Sequence, residues 1–170
     1  MKKAIALLLA LVMVFALCAC GGDKGTADNG EKVVKIGVFE PASGDSGAGG
    51  KKEMLGMQYA NQETPTVEIG GETYKVELVY SDNGSDSAKA VSAASKLVNE
   101  KVSIVLGSYG SGVSIAASDT FKQAGIPAVG VTCTNPNVTA GNSHYFRICF
   151  LDPFQGSVMA QFAWDMVAAA

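Results

Sequence analysis

The sequence SIVLGSYGSGVSIAASDTFKQAGIPAVGVTCT, from Ser103 to Thr134, decides the fold class of this chain. It predicts a strand at 102–106, a Gly/Ser turn, a helix that begins at about Ser111, and a second strand at 128–131. Both strands are short apolar runs between turn residues, as expected of strands covered on both faces. Because parallel strands end at the same edge of a sheet, we expect the two turns that follow them to form a small-molecule site.

The rest of the chain continues the alternation of strands and helices, which predicts a doubly wound α/β fold with a mostly parallel sheet. Gly70-Gly71 is expected to be the two-residue turn of a hairpin, and Asp86 the N-cap of the next helix. Outside the opening stretch, strands are predicted at 33–39, 67–69, 74–80 and 145–151, and helices at 51–62, after 86 and after 152.

Each predicted helix carries apolar residues at helical spacing, and we expect these residues to face the core. In chain order the four stripes are Met54, Leu55, Gln58 and Tyr59; Val91, Ala94, Leu97 and Val98; Val113, Ala117, Phe121 and Ala124; and Phe154, Val158, Phe162 and Met166.

The composition fits one exported globular domain. A length of 170 residues allows about one domain, and 48% hydrophobic residues with 20 glycines argue against disorder. Without Lys2 and Lys3, which belong to an export signal at the N-terminus, the chain has 11 basic and 16 acidic side chains, a net charge of −5. This charge argues against nucleic acid or an anionic surface as a partner.

Residues 1–19 have the organisation of a bacterial signal peptide. Two lysines precede an uncharged apolar run at 4–17, which is too short to span a bilayer comfortably. Leu17-Cys18-Ala19-Cys20 resembles the lipobox of bacterial lipoproteins, which implies a diacylated Cys20 at the mature N-terminus. The alternative is a plain secretory signal. Residues 20–32 are polar and Gly-rich, as expected of a flexible tether on a lipid anchor at the extracytoplasmic face of the membrane.

The remaining candidate motifs do not support a cofactor or metal site. The loop at 40–50 is Gly-rich, but its spacing does not match a phosphate-binding loop. Asp82 and Asp86 lack the spacing of a calcium loop, so we expect a turn residue and a helix cap. Cys133 and Cys149 remain after the export signal, and nothing in the sequence pairs them.

Five motifs in a fixed order carry a family resemblance. They are the Pro-x-Ser-Gly loop at 41–44, Leu106-Gly-Ser-Tyr-Gly-Ser-Gly112, Thr132-Cys-Thr-Asn-Pro136, Tyr145-Phe-Arg147 and Asp152-Pro-Phe-Gln-Gly156. From about Val33 onward the chain resembles the branched-chain amino acid binding proteins of ABC transporters. That resemblance implies a clamshell of two lobes, with 33–150 as the first lobe and 151–170 as the inter-lobe crossing and the first helix of a truncated second lobe. The chain is then expected to be an N-terminal fragment.

The resemblance also implies the site residues and the ligand. In that family, the turn that matches Tyr109, Gly110, Ser111 and Gly112 supplies a hydroxyl and an N–H to the ligand's α-carboxylate. The turn that matches Thr132, Cys133 and Thr134 supplies a carbonyl and a hydroxyl to the α-ammonium, and a further N–H to the carboxylate. A helix N-terminus favours an anion, and carbonyl and hydroxyl oxygens accept from an ammonium. We therefore expect an amino acid ligand, branched-chain or otherwise aliphatic, with ABC permease subunits as partners, a monomeric protein and no catalysis.

Three positions depart from the family pattern. Gly49 stands where some members have a Tyr that walls the side-chain pocket, and Cys133 where Ala is common. The sequence around Ser85 lacks the Cys that pairs, in some members, with a partner matching Gly110. These differences bear on the preferred ligand side chain more than on the amino acid class.

Three other function classes fit the sequence less well. The ectodomain of a membrane sensor can have the same two-lobed fold. A sensor must pass a signal through the membrane, however, and a protein held by a lipid anchor cannot do so directly. A serine hydrolase would use Gly112-Val-Ser114-Ile-Ala116, which lacks the last Gly of the nucleophile motif, and His144 has no evident acid partner. A purely structural lipoprotein is disfavoured by the two polar turns at one sheet edge.

Overall fold

The computed structural model describes residues 31–169, and the predicted α/β fold class is confirmed. The signal peptide, Cys20 and most of the expected tether lie outside the described residues. The elements in chain order are β1 (Val33–Glu40), α1 (Gly47–Glu63), β2 (Thr66–Ile69), β3 (Glu72–Asp82), α2 (Ser87–Asn99), β4 (Ile104–Leu106), α3 (Ser111–Gln123), β5 (Ala128–Gly130), a short 3-10 helix (Pro136–Val138), β6 (Tyr145–Arg147) and α4 (Asp152–Ala168).

The sheet has the strand order β2-β3-β1-β4-β5-β6, and only the β2–β3 hairpin is antiparallel. Gly70 and Gly71 form the turn of that hairpin with φ of 62° and 82°, which a residue with a side chain rarely adopts. Because β1, β3, β4 and β5 run parallel, the loops that follow them emerge at one edge. This edge is where the predicted ligand turns lie.

Helices α2 and α3 cover one face of the sheet and build the core there. The rings of Phe39 and Phe121 meet edge to face with centroids 5.5 Å apart. Asp86 caps α2 as predicted, because its carboxylate accepts from the N–H groups of Ala88 and Lys89. Other fully buried core residues include Ala90, Ala94, Leu97, Val105, Ala117 and Ala128.

The predicted stripes of α2 and α3 are partly wrong. In α2 the buried face is Ala90, Ala93, Ala94 and Leu97, whereas Val91 is 45% exposed. Small alanines on the inner face allow α2 to approach its neighbours closely, so periodicity in bulky residues alone misplaces the face. In α3 the predicted Val113, Ala117 and Phe121 are buried, but Ala124 lies at the exposed C-cap.

Helix α1 begins four residues earlier than predicted and turns a different face to the sheet. Leu55 and Tyr59 are each 64% exposed. A Cβ at Gly50 would overlap Pro41, so this glycine allows the close approach that fixes the helix rotation. As a result Met57 and Ala60, rather than Leu55 and Tyr59, border the apolar cleft between α1 and the sheet.

The C-terminal part of the chain also differs from the prediction. Strand β6 ends at Arg147 instead of residue 151, because its neighbour β5 ends at Gly130 and offers no further backbone to pair. The predicted core stripe of α4 is wrong: Phe154, Val158, Phe162 and Met166 are each 48–61% exposed, and no residue of this helix is buried. Within residues 31–169, every helix is too short or too polar to cross a bilayer.

Candidate functional site

Two turns at the carboxyl edge of the sheet meet as the sequence predicts. We call residues 107–112 the Ser111 turn and residues 131–135 the Thr132 turn. Ser111 is the first residue of α3, and its Oγ accepts a hydrogen bond of 3.1 Å from the backbone N–H of Asn135. A bond across 24 residues of sequence therefore joins the two turns that the sequence assigns to one site.

The Ser111 turn presents hydrogen-bond donors. The N–H groups of the first turn of α3 have no acceptor within the helix, and the helix dipole adds positive potential there. Because the Ser111 Oγ accepts from Asn135, its own hydrogen remains available for donation. Gly110 precedes the helix with φ of 114°, which a residue with a side chain would adopt only under strain. The turn can hold a carboxylate.

The Thr132 turn presents acceptors, but not all of its carbonyls are available. The Cys133 carbonyl accepts from the Arg147 guanidinium at 2.9 Å, and the Thr134 carbonyl accepts from the Asp152 N–H at 3.1 Å. Within residues 31–169, the carbonyl of Thr132 and the hydroxyl of Thr134 have no hydrogen-bond partner. These two oxygens are the acceptors that this turn can offer to an ammonium.

The side chain of Cys133 faces the core and not the site edge. It is fully buried, and its Sγ occupies the space that a Cβ at Gly130 would need. Burial raises the pKa of the thiol, although a hydrogen bond with Ser114 acts in the opposite direction. Because the Cys133 side chain is buried and its carbonyl accepts from Arg147, only its backbone N–H can contact a ligand.

Arg147 holds the Thr132 turn in shape. Besides the Cys133 carbonyl, its guanidinium donates to the Pro136 carbonyl at 3.2 Å and to the Thr139 Oγ1 at 2.9 Å. The planar fork of an arginine reaches three acceptors that a lysine ammonium could not reach together. Arg147 lies in a motif that the sequence shares with the resembled family, but its role as a support is evident only from these contacts.

Tyr109 takes the space beside Gly49. A Cβ built on Gly49 would lie 2.5–2.7 Å from atoms of the Tyr109 ring, so the ring packs directly on the glycine. The ring is 40% exposed at the edge of the sheet. An aromatic wall is therefore present here, contributed by the Ser111 turn rather than by position 49.

Two acidic residues that the sequence did not single out lie under the turns. Glu40, at the end of β1, is 1% exposed, and its Oε2 accepts from the Tyr109 N–H at 2.7 Å. Glu53, on α1, accepts a hydrogen bond from the Thr132 hydroxyl. Burial, and then the hydrogen bond with Glu53, raise the pKa of Glu40 to about 9. A carboxyl directly after the apolar residues Val38 and Phe39 was the available signal in the sequence.

Asp82 ties the loop after β1 to the loop after β3. Its carboxylate accepts from the Ser43 hydroxyl at 2.7 Å and from the N–H groups of Ala42, Ser43 and Gly84. Desolvation would raise its pKa, but these four bonds outweigh it and lower the pKa. The turn role predicted for Asp82 is confirmed, and in residues 31–169 no group of three His, Cys, Asp or Glu is placed to hold a metal ion.

An apolar cleft that borders the Thr132 turn at Val131 does not suit a charged ligand. It has a volume of about 500 Å³ and lies between α1 and the sheet. Its walls are largely aliphatic, with Ile36, Val76, Leu78, Leu106, Val129 and Val131 among them. A zwitterion needs charged or hydrogen-bonding partners at both ends, and the two turns at the sheet edge provide them.

The hydrolase interpretation is wrong. Ser114 is fully buried inside α3, and its hydroxyl donates to the Gly110 carbonyl at 3.1 Å. A nucleophile has to reach a substrate, and this serine cannot.

A family comparison decides the assignment. The sequence profile of a family described as periplasmic binding protein matches residues 33–169. The chain belongs to this family. Its members bind ligands, in agreement with the expectation that the protein is not an enzyme.

The chain has curated relatives and solved neighbours within this family. It is 32% identical over 155 residues to Leu/Ile/Val-binding protein homolog 2 of Brucella abortus, which covers 91% of this chain and 40% of the relative. A leucine binding protein LivK from Thermotoga maritima is 39% identical with a TM-score of 0.73, over 80% of this chain and 38% of that one. LivJ from Streptococcus pneumoniae, solved with isoleucine, is 33% identical with a TM-score of 0.64, over 71% and 35%. The chain thus spans about 40% of the length of the first of these relatives.

Proposed function

We propose that this chain is the first lobe of an extracytoplasmic substrate-binding protein of an ABC importer, and that the protein binds an amino acid, branched-chain or otherwise aliphatic. The observation that carries the proposal is the bond between Ser111 and the Asn135 N–H, which unites the donor turn and the acceptor turn. The relatives named for leucine, isoleucine and valine support the ligand class.

In this proposal the α-carboxylate lies at the N-terminus of α3. It accepts from the Ser111 hydroxyl and from N–H groups of the Ser111 turn. The α-ammonium donates to the Thr132 carbonyl and the Thr134 hydroxyl. The aliphatic side chain lies against the Tyr109 ring, which is in place beside Gly49.

The parts of the protein beyond this lobe complete the proposal. Residues 33–150 form the first lobe, and 151–170 begin the crossing to a second lobe that closes on the ligand. Cys20 carries the lipid anchor and residues 20–32 the tether, so the monomeric protein stays near its permease.

Isothermal titration calorimetry of the full-length mature protein with a panel of amino acids tests this function. We expect heat from at least one aliphatic amino acid, and the absence of binding by every member of the panel would refute the proposal.

Two substitutions test the site. Ser111→Ala and Thr134→Ala should each weaken binding by about 1–3 kcal/mol, because each leaves a charged group of the ligand short of one hydrogen bond. Ser118→Ala, further along α3, is the matched control and should leave the affinity unchanged. Wild-type affinity in both site variants would place the site elsewhere.

A further inference from the structure

Two carboxyl groups face each other beneath the ligand turns. Glu40 is buried at the end of β1, and the side chain of Glu53 on α1 lies within hydrogen-bond reach of it. Glu40 Oε1 and Glu53 Oε2 are both shielded from solvent, and neither has a hydrogen-bond donor among the described residues. The pair thus contains two buried oxygens that both need a donor.

The other oxygen of each carboxyl is bound to a ligand turn. Glu40 Oε2 accepts from the N–H of Tyr109, in the Ser111 turn, at 2.7 Å. Glu53 Oε1 accepts from the hydroxyl of Thr132, in the second turn. The pair therefore joins β1 and α1 to both halves of the proposed site.

No cation balances these carboxyls in the described part of the chain. The ion pairs Lys32–Glu72 and Lys35–Glu100 in that part of the chain involve neither Glu40 nor Glu53. Four titratable groups on neighbouring elements surround Glu40: Glu53 on α1, Tyr109 in the Ser111 turn, Asp82 on the paired strand β3, and Tyr145 on β6. The Tyr145 phenol donates to the Gly107 carbonyl. None of these is a base that would be charged at neutral pH.

We propose that Glu40 and Glu53 hold one proton between them, and that this acid pair positions the Ser111 and Thr132 turns for the ligand. A proton on one carboxyl donates to the facing oxygen of the other, so a single O–H···O bond satisfies both buried oxygens. Two carboxylates in the same place would repel and would leave both oxygens unsatisfied. The effect on ligand binding rests on the proposed function, whereas the shared proton does not.

The protonation of Glu40 agrees with this geometry. Burial and the neighbouring Glu53 raise its pKa from 4.5 to about 9, against the opposing effect of the Tyr109 N–H. The folded protein then keeps at neutral pH a proton that the unfolded chain releases. The pair stabilises the fold fully below pH 4.5, and its contribution falls progressively as the pH rises towards 9.

A titration without ligand tests the shared proton. In the full-length mature protein with ¹³Cδ-labelled glutamate, NMR should show one carboxyl that titrates near pH 9, and Glu40→Gln should remove that signal. Glu100→Gln, at an exposed ion pair, is the matched control and should leave it in place. If every glutamate signal titrated below about pH 6, the shared proton would be refuted.

A binding experiment tests the positioning role, with leucine as the probe. A group with a pKa of about 9 is roughly nine-tenths deprotonated at pH 10, so the wild-type affinity should fall about tenfold more between pH 7 and 10 than that of Glu40→Gln. Glutamine can donate to Glu53 and accept from Tyr109 at every pH, and leucine's own ammonium titrates equally in both proteins. Glu40→Leu, which can do neither, should bind weakly throughout.

The two readouts separate the two proposals. Identical pH profiles for wild type and Glu40→Gln would refute the positioning role. If no variant bound any amino acid while the NMR signal titrated near pH 9, the proposed function would fail and the shared proton would stand.

Discussion

Removal of the Arg147 guanidinium should loosen the Thr132 turn. Arg147→Met keeps an unbranched side chain of similar length, so the apolar packing of the stem is retained and the hydrogen bonds are lost. Three acceptors lose the guanidinium as a donor: the carbonyls of Cys133 and Pro136, and the Thr139 hydroxyl. The Pro136 carbonyl still accepts from the Thr139 N–H at 3.3 Å.

The magnitude follows from the exposure of the three bonds. The bonds to Cys133 and Thr139 are part-buried and 2.9 Å long, whereas the bond to Pro136 is exposed and 3.2 Å long. A hydrogen bond from a charged donor contributes about 1.5–3 kcal/mol when shielded and little when exposed. Because the bonds to Cys133 and Thr139 are only partly shielded, each contributes about 1–2 kcal/mol, and their loss lowers the free energy of unfolding by about 2–4 kcal/mol.

Urea unfolding of the full-length mature protein, followed by circular dichroism, measures this loss, and leucine titration measures the effect on the site. Arg147→Lys is the matched variant, because it keeps the charge without the planar fork, and it should fall between wild type and Arg147→Met. A loss below about 0.5 kcal/mol in Arg147→Met, with unchanged leucine affinity, would show that the turn keeps its shape without these bonds.

Two further predictions concern the loops at the same edge. Gly107→Ala should lower the free energy of unfolding, measured with urea, by at least about 3 kcal/mol. Gly107 has a φ of 122°, and a Cβ there would overlap the Phe39 carbonyl. An alanine variant as stable as wild type would contradict this geometry. Asp82→Asn should cost about 1–2 kcal/mol at pH 7, because the carboxylate accepts four hydrogen bonds. Folding lowers the pKa of Asp82, so its carboxylate stabilises the fold at pH values above its ordinary pKa of 3.8, and this contribution is lost as the pH falls through the folded pKa. The difference in unfolding free energy between Asp82→Asn and wild type should therefore shrink in acid. A difference that stayed constant with pH would exclude the role of the charge.

Patterns confined to one element were predictable. The Gly70-Gly71 turn, the Asp86 cap and the start of α3 at Ser111 depend on residues a few positions apart, and each is confirmed. The helix faces were less predictable, because periodicity identifies an apolar stripe but not which elements cover it. Helix α4 shows this clearly, since its regular stripe of Phe and Val is exposed.

The sequence alone determined the order of strands and helices, the parallel sheet and the two turns at its carboxyl edge, because these follow from local propensity and from the handedness of strand–helix–strand connections. Only the tertiary structure decided how the turns are held. The Ser111–Asn135 bond joins residues 24 apart, Tyr109 and Glu40 are 69 apart, and Glu53 and Thr132 are 79 apart. Contacts at such separations depend on the exact rotation of α1 and the exact register of the sheet, which no local pattern encodes.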